Sequence, residues 1–192
     1  MLSRWLFLGL VLAVAAQRLW ELTVSRDHEA QLHAAGAIEH AREQMPWMRA
    51  VHAGWLLCML LEVFAADRPF LPALGIAAFA VFAVGQALRL LAMHSLGKRW
   101  TVKIITPVSN QPPISGGIYK YLRHPNYLGV VLEIAALPLV HDAYLSALFF
   151  SVANGVLLWF RIRAEERALS STSDYQTRFR ERPRFWPALF RR

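Results

Sequence analysis

A single cysteine, Cys58, stands in the 192 residues, and two function classes go with that scarcity. No internal disulfide framework can form, and CxxC metal or redox motifs are absent. Charge is also scarce: Asp, Glu, Lys and Arg make up 18% of the chain, against ~25% in a typical soluble domain. No internal repeat and no low-complexity segment is visible. What is present is apolar. Hydrophobic residues make up 56%, with seven Trp and eleven Phe, so the chain is neither disordered nor collagen-like. The length allows one domain, residues 1–192. The net charge of +8 suits either nucleic acid or an anionic membrane surface, and the apolar content favours the membrane.

Two runs are clean. Pro69 to Leu88 holds twenty residues without a charge, and Ala143 to Phe160 holds eighteen. A hydrocarbon core takes ~20 apolar residues to cross as helix. Three further runs are shorter or interrupted. Trp5 to Gln17 is flanked by Arg4 and Arg18, which can snorkel to the interfaces. Ala50 to Ala66 carries His52 and Glu62, and Pro125 to Val140 carries Glu133. The expectation is an all-α integral membrane protein of about five transmembrane helices. With the N-terminus outside, all but Arg4 and Arg68 of the 21 basic residues fall on the inner side. That partition expects a multi-pass protein of the bacterial inner membrane, C-terminus cytoplasmic, with membrane lipids rather than nucleic acid as partner. The N-terminus also resembles a signal peptide with Ala13-Val14-Ala15 as a cleavage site, but its loss would leave an even number of spans.

Residues 25–49 read as a charged loop or interfacial helix. The 93–123 connector is rich in breakers, among them Gly97, Pro107, Pro112, Pro113, Gly116 and Gly117, while Trp100, Ile104, Ile105, Ile114 and Tyr119 argue that it is packed. Beyond span five the helix runs on from Arg161 into an Arg-rich tail over 170–192, with Phe179, Phe185, Trp186 and Phe190 interleaved, suited to an interfacial helix on anionic lipid.

Three clusters fall on the inner side. In Arg123-His124-Pro125-Asn126-Tyr127, Pro125 suits the first position of a helix. Unpaired N–H groups at that helix start suit an anion, and His124 and Tyr127, three apart, share a face. The alternative is an ordinary aromatic and basic belt at the membrane boundary. Arg161 and Glu165, four apart, form either a surface ion pair or a site for a ligand carrying both charges. Gln86, Arg89 and His94 close span three, where Arg89 reads most simply as an interface anchor. Glu62 and Glu133 lie within spans and need partners, His52 being one candidate for Glu62. His28, His33 and His40 match no ligand spacing, so no metal is expected.

Taken together, Gly117-Ile118-Tyr119, then Arg123 through Leu128-Gly129, then Arg161 with Glu165-Glu166 and Leu169, resemble the isoprenylcysteine carboxyl methyltransferase family. Gly85, Leu88-Arg89, Ala92 and Leu96-Gly97 fit its third-span pattern, and the likeness covers about residues 80–175. The run Arg18-Leu19-Trp20-Glu21-Leu22 is similar to a bacterial subgroup related to enzymes that methylate long-chain polyketide pyrones and phenols. The resemblance implies S-adenosylmethionine as cofactor and a lipophilic small-molecule or lipidated acceptor, methylated at a carboxylate, phenol or enol oxygen. The site is then formed by the 93–127 connector and the C-terminal helix. Ile114, Tyr119, His124, Pro125, Asn126, Tyr127 and Glu165 would line the cofactor site. Arg161 would bind the acceptor and act in catalysis, with Glu166 as a further catalytic residue; either His124 or Glu166 would be the base if the acceptor is a phenol. The sequence departs from the family where Gln111-Pro112-Pro113-Ile114 replaces a His-x-Leu-Val stretch, and where a Gly is missing near Ser173-Asp174-Tyr175. Three rivals remain. Membrane sterol reductases share a similar block but follow it with Glu, where this chain has Val130. A phospholipid N-methyltransferase would have less use for Arg161, and a non-catalytic scaffold would not need the three clusters.

Overall fold

The computed structural model describes residues 1–66, 70–107 and 111–185. Arg68, Pro69, Trp186, Phe190, Arg191 and Arg192, all used above, lie outside them. The described chain is nearly all helix: α1 (Leu2–Ala34), α2 (Met45–Ala65), α3 (Pro72–Leu96), α4 (Pro125–Leu139), α5 (Tyr144–Thr172) and the short α6 (Tyr175–Phe179). Helices at α1, at Arg42–Ala65, at Pro72–Arg99 and at α5 are long and apolar enough to cross a membrane, and α4 is a shorter apolar helix. Proline sits in the opening turn of α2, α3 and α4, where its missing N–H would have had no helical partner.

The surface supports a multi-pass membrane protein. Leu57, Leu61, Ile76, Leu148, Phe149 and Val152 are all more than 60% exposed, while Glu21, Arg89, Glu133, His141, Asp142, Asn154 and Arg161 are buried. Lipid solvates the first set, and each of the second needs a protein partner. The main apolar core joins Phe7 and Val11 of α1, Trp55 and Met59 of α2, Phe82 of α3, Ile134 and Leu137 of α4 and Phe150 of α5.

α3 and α4 approach most closely at a pair of glycines. A Cβ on Gly85 would lie 2.9 Å from the Gly129 carbonyl oxygen, and one on Gly129 would lie 2.7 Å from that of Gly85. Only glycine fits at either place, as in small-residue contacts between membrane helices generally.

Several helix limits differ from the expectation. α1 does not end at Gln17. It continues to Ala34 because the charges that follow Gln17 are paired within the bundle: Arg18 and Glu21 meet at 2.6 Å, and Arg18 reaches Glu133 at 3.0 Å. The stretch read as a charged loop or interfacial helix over 25–49 is therefore helix to Ala34. It then forms a three-residue strand, β1 (Ile38–His40), antiparallel to β2 (Ile104–Thr106) in the connector, with Glu39 opposite Ile105. Glu62 does not pair with His52. Ten residues apart on one helix, they sit about 15 Å apart along its axis. His52 Nδ1 bonds the Met48 carbonyl, while Glu62 accepts the backbone N–H groups of Leu145 and Ser146 at 3.0 and 2.8 Å. A carboxylate there caps the start of α5 and meets the positive end of its dipole.

Candidate functional site

α4 begins where the connector turns into the bundle. His124 is its N-cap, with Pro125 buried as the first helical residue. His124 is 4% exposed and its ring stacks on Tyr127, centroids 5.4 Å apart. Tyr127 is buried too, so these side chains face inward and do not form a lipid-facing belt. The Tyr127 hydroxyl donates to Glu165 of α5. His124 Nε2 lies 3.0 Å from Glu166 Oε1, and Arg184 grips the same carboxylate with two hydrogen bonds.

Arg161 and Glu165 are not an ion pair. Arg161 donates to the Val102 carbonyl and lies over the Tyr127 ring, while Glu165 takes Tyr127's proton donor. Arg161 is 3% exposed, has no carboxylate partner among the described residues, and its Nε is unbonded. Arg89 also departs from expectation. It is no interface anchor but a buried residue that donates to Glu21 and approaches Glu133 at 3.4 Å, so two arginines and two glutamates from α1, α3 and α4 neutralise one another. Gln86 accepts from Gln17 at 2.9 Å in the same network, whereas His94 is exposed.

Two partly open cavities meet at this point. The larger, about 430 Å³, is walled by apolar residues of α1, α2 and α5 such as Leu19, Leu22, Met48, Leu56 and Leu157, and contains Arg161, Asn126 and Tyr127. The smaller, about 120 Å³, lies under the connector and contains Ile114, Leu169 and Tyr175. Tyr119, His124 and Glu165 border both. The structure thus brings together Ile114, Tyr119, His124, Asn126, Tyr127, Arg161 and Glu165. Pro125 is buried beside them and sets the start of α4. Glu166 is elsewhere: it lines an outer groove between α5 and α6 and meets the cavity lining through His124, at 3.0 Å, and Arg123, at 3.9 Å.

Several contributors escaped the sequence reading. Tyr175, Thr101, Lys103 and Leu32 line the smaller cavity, and Asn154 the larger. Lys103 is held by Glu29 and Glu39, each 3.2 Å away. Burial works against its charge, but these carboxylates outweigh it and hold its pKa above the ordinary value. Burial pushes the Tyr119 and Tyr175 hydroxyls well up, and the nearby Glu165 carboxylate adds to it. Both are neutral at physiological pH, so each offers a ligand an aromatic face and an O–H group. The three histidines of the 25–49 stretch are occupied: His28 by the Trp100 carbonyl, His40 by the Thr106 hydroxyl and His33 by the Ala37 carbonyl.

Up to Phe185 the tail holds one short helix rather than a long one. α6 spans five residues, and the chain after it straps the connector. The N–H groups of Arg123 and His124 donate to the carbonyls of Pro183 and Arg184, and Arg182 donates to those of Ser115 and Tyr119. Gly117 makes the seat for this strap. Its φ of +56° and its closeness to Ser95 leave no room for a Cβ, and the next N–H, of Ile118, donates to Ser95 Oγ.

These residues fit S-adenosylmethionine. Glu165 and the Tyr119 and Tyr127 rings offer a carboxylate and aromatic faces to a cation. The buried Asn126 Oδ1 and Tyr175 hydroxyl are unbonded among the described residues, and Ile114 and Leu169 supply an apolar wall for a base.

The family model described as the isoprenylcysteine carboxyl methyltransferase (ICMT) family matches residues 76–171. The uncharacterized protein YpbQ of Bacillus subtilis (strain 168) is 37% identical over 170 residues, covering 88% of this chain and 98% of that protein. An uncharacterized protein of Haemophilus influenzae (strain ATCC 51907 / DSM 11121 / KW20 / Rd) is 30% identical over 168 residues, covering 86% of this chain and 96% of the other.

Proposed function

The chain belongs to the isoprenylcysteine carboxyl methyltransferase family, whose members are membrane methyltransferases, and we propose that it moves a methyl group from S-adenosylmethionine to an anionic oxygen of a lipophilic acceptor. One observation carries this reading. Arg161, buried and without a carboxylate partner among the described residues, faces the larger, apolar-walled cavity one helical turn from Glu165, which borders both cavities. A buried, uncompensated guanidinium is expensive, and an acceptor oxygen carrying negative charge offsets that cost.

Glu165, Tyr119, Tyr127, Asn126 and Ile114 would hold the cofactor, which supplies an electrophilic methyl group on a sulfonium. Arg161 orients the acceptor oxygen, and the apolar walls exclude water. Positioning and desolvation then do most of the work, because a carboxylate acceptor has no proton to lose. For a phenol or enol acceptor a base is needed. Glu166 accepting from His124 Nε2–H leaves Nδ1 as the free acceptor of that ring, so His124 is the base and Glu166 the residue that positions it. The proposed orientation sets the N-terminus outside the bacterial inner membrane and the C-terminus in the cytoplasm, on the side of the basic residues and the cofactor.

The test is calorimetric titration of the detergent-purified chain with S-adenosylhomocysteine, with NADPH in parallel. Saturable binding of the first alone is expected, and Glu165→Ala weakens it by about 10- to 150-fold, the worth of one hydrogen bond to a charged group. Binding of NADPH instead would move the protein to the reductases. If Glu165→Ala leaves affinity unchanged, Glu165 is not in the cofactor site.

A further inference from the structure

Outside the two cavities, α5, α6 and the start of the strap enclose an open groove of about 960 Å³. Arg163, Arg167 and Arg180 line it, and none has a carboxylate partner among the described residues. Arg163 lies flat on the Trp159 ring at 3.7 Å, and Arg167 Nε donates to the Arg163 carbonyl. The groove's acid, Glu166, is already taken by His124 and Arg184. The lining is therefore strongly positive, with no carboxylate free to receive a cation.

Its depth follows from the exposed face of α5. Leu148, Phe149, Val152, Val156, Trp159 and Phe160 are each about half exposed or more, and the next exposed residues along the helix are Arg163 and Arg167. The groove begins where the apolar face stops, which is headgroup level for a helix in a bilayer.

We propose that this groove binds the headgroup of one anionic phospholipid. Its phosphate sits among Arg163, Arg167 and Arg180, and its acyl chains run down the Trp159–Phe160 face of α5. A soluble anion would use the guanidiniums and leave that face unused. A zwitterionic lipid would bring an ammonium group with no carboxylate to meet it. The assignment goes beyond methyl transfer and does not depend on it.

Native mass spectrometry of the detergent-purified full chain, given equal amounts of dioleoyl phosphatidylglycerol and dioleoyl phosphatidylethanolamine, tests it. The expected result is one retained phosphatidylglycerol, preferred by about 30- to 150-fold, as two to three basic residues at a membrane surface provide. In R163Q/R167Q the preference falls to near one, and R180Q lowers it in part, so the proposal stays testable if the double variant folds poorly. Excess inorganic phosphate leaves the bound lipid in place. Equal retention of both lipids by the wild type, or a preference that survives R163Q/R167Q in folded protein, overturns the proposal. Displacement by inorganic phosphate also overturns it and assigns the groove to a soluble anion. No readout involves the cofactor or the acceptor, so failure here leaves the methyltransferase reading untouched, and the reverse holds too.

Discussion

Arg89 and Arg161 are buried to nearly the same degree, 7% and 3% exposed, in helices of the same bundle. Their surroundings are opposites. Arg89 sits between Glu21 and Glu133, with Arg18 completing two pairs of charges. Arg161 has a carbonyl and an aromatic face. The first arrangement is closed: every charge is answered inside the protein, and its product is a fixed packing of α1, α3 and α4. The second is open, and the missing counter-charge is left for a ligand. Two buried arginines in one membrane protein thus divide between architecture and chemistry according to whether a carboxylate meets them.

The contrast can be broken most sharply from the Arg89 side. Arg89→Met leaves Glu21 and Glu133 short of a cation in the bundle. Thermal or denaturant unfolding in detergent should show a loss of about 3–5 kcal/mol, the usual result of breaking a buried pair from one side. Arg161→Met should do the reverse: stability unchanged or slightly raised, S-adenosylhomocysteine affinity kept, and turnover down by about 10²- to 10³-fold, the scale for losing one electrostatic contact to the reacting group. A destabilised Arg161→Met, or a turnover loss matched by lost cofactor affinity, would put both arginines in the same class.

A smaller effect separates the phenols at the site from ordinary tyrosines. Burial raises Tyr119 and Tyr175 above the usual value of 10.0, so the unfolded chain releases these protons before the folded one does. Their contribution to stability is therefore complete below pH 10 and declines as pH rises above it, by up to about 1.4 kcal/mol per pH unit for each group. Melting curves from pH 8 to 11 should show that decline, and Tyr119→Phe/Tyr175→Phe should flatten it.

Much of the fold was legible in run lengths, because an uncharged run such as Ala143–Phe160 has few alternatives to a spanning helix. Charges within runs were harder to read. Arg18 and Glu21 look like the end of a helix until Glu133 and Arg89, 115 and 68 residues away, are seen to meet them. The β1–β2 pairing was invisible because each strand has three residues, too few for an alternation to show. The strap was hidden for a related reason. An Arg-rich segment after a membrane helix suggests lipid, whereas Arg182 spends its donors on the Ser115 and Tyr119 carbonyls. At the site, local spacing revealed His124 with Tyr127 and the Arg161–Glu165 turn. It could not reveal Tyr175, Lys103 or Asn154, which reach the cavities only through tertiary folding. Nor could it show that Glu166 faces outward, one residue from Glu165 but about 100° around the same helix.

The glycine contact between α3 and α4 also has a bearing on how the protein is made. α4 has 15 residues, about 22 Å of helix against a hydrocarbon core of about 30 Å, and it carries Glu133. By itself it is a poor candidate for insertion. Lodged against α3 at Gly85 and Gly129, with Arg18 and Arg89 waiting for its carboxylate, it becomes an acceptable one. The short helix thus owes its place in the bundle to its neighbours: α1 and α3 supply the countercharges and the close seat that its own length and sequence lack.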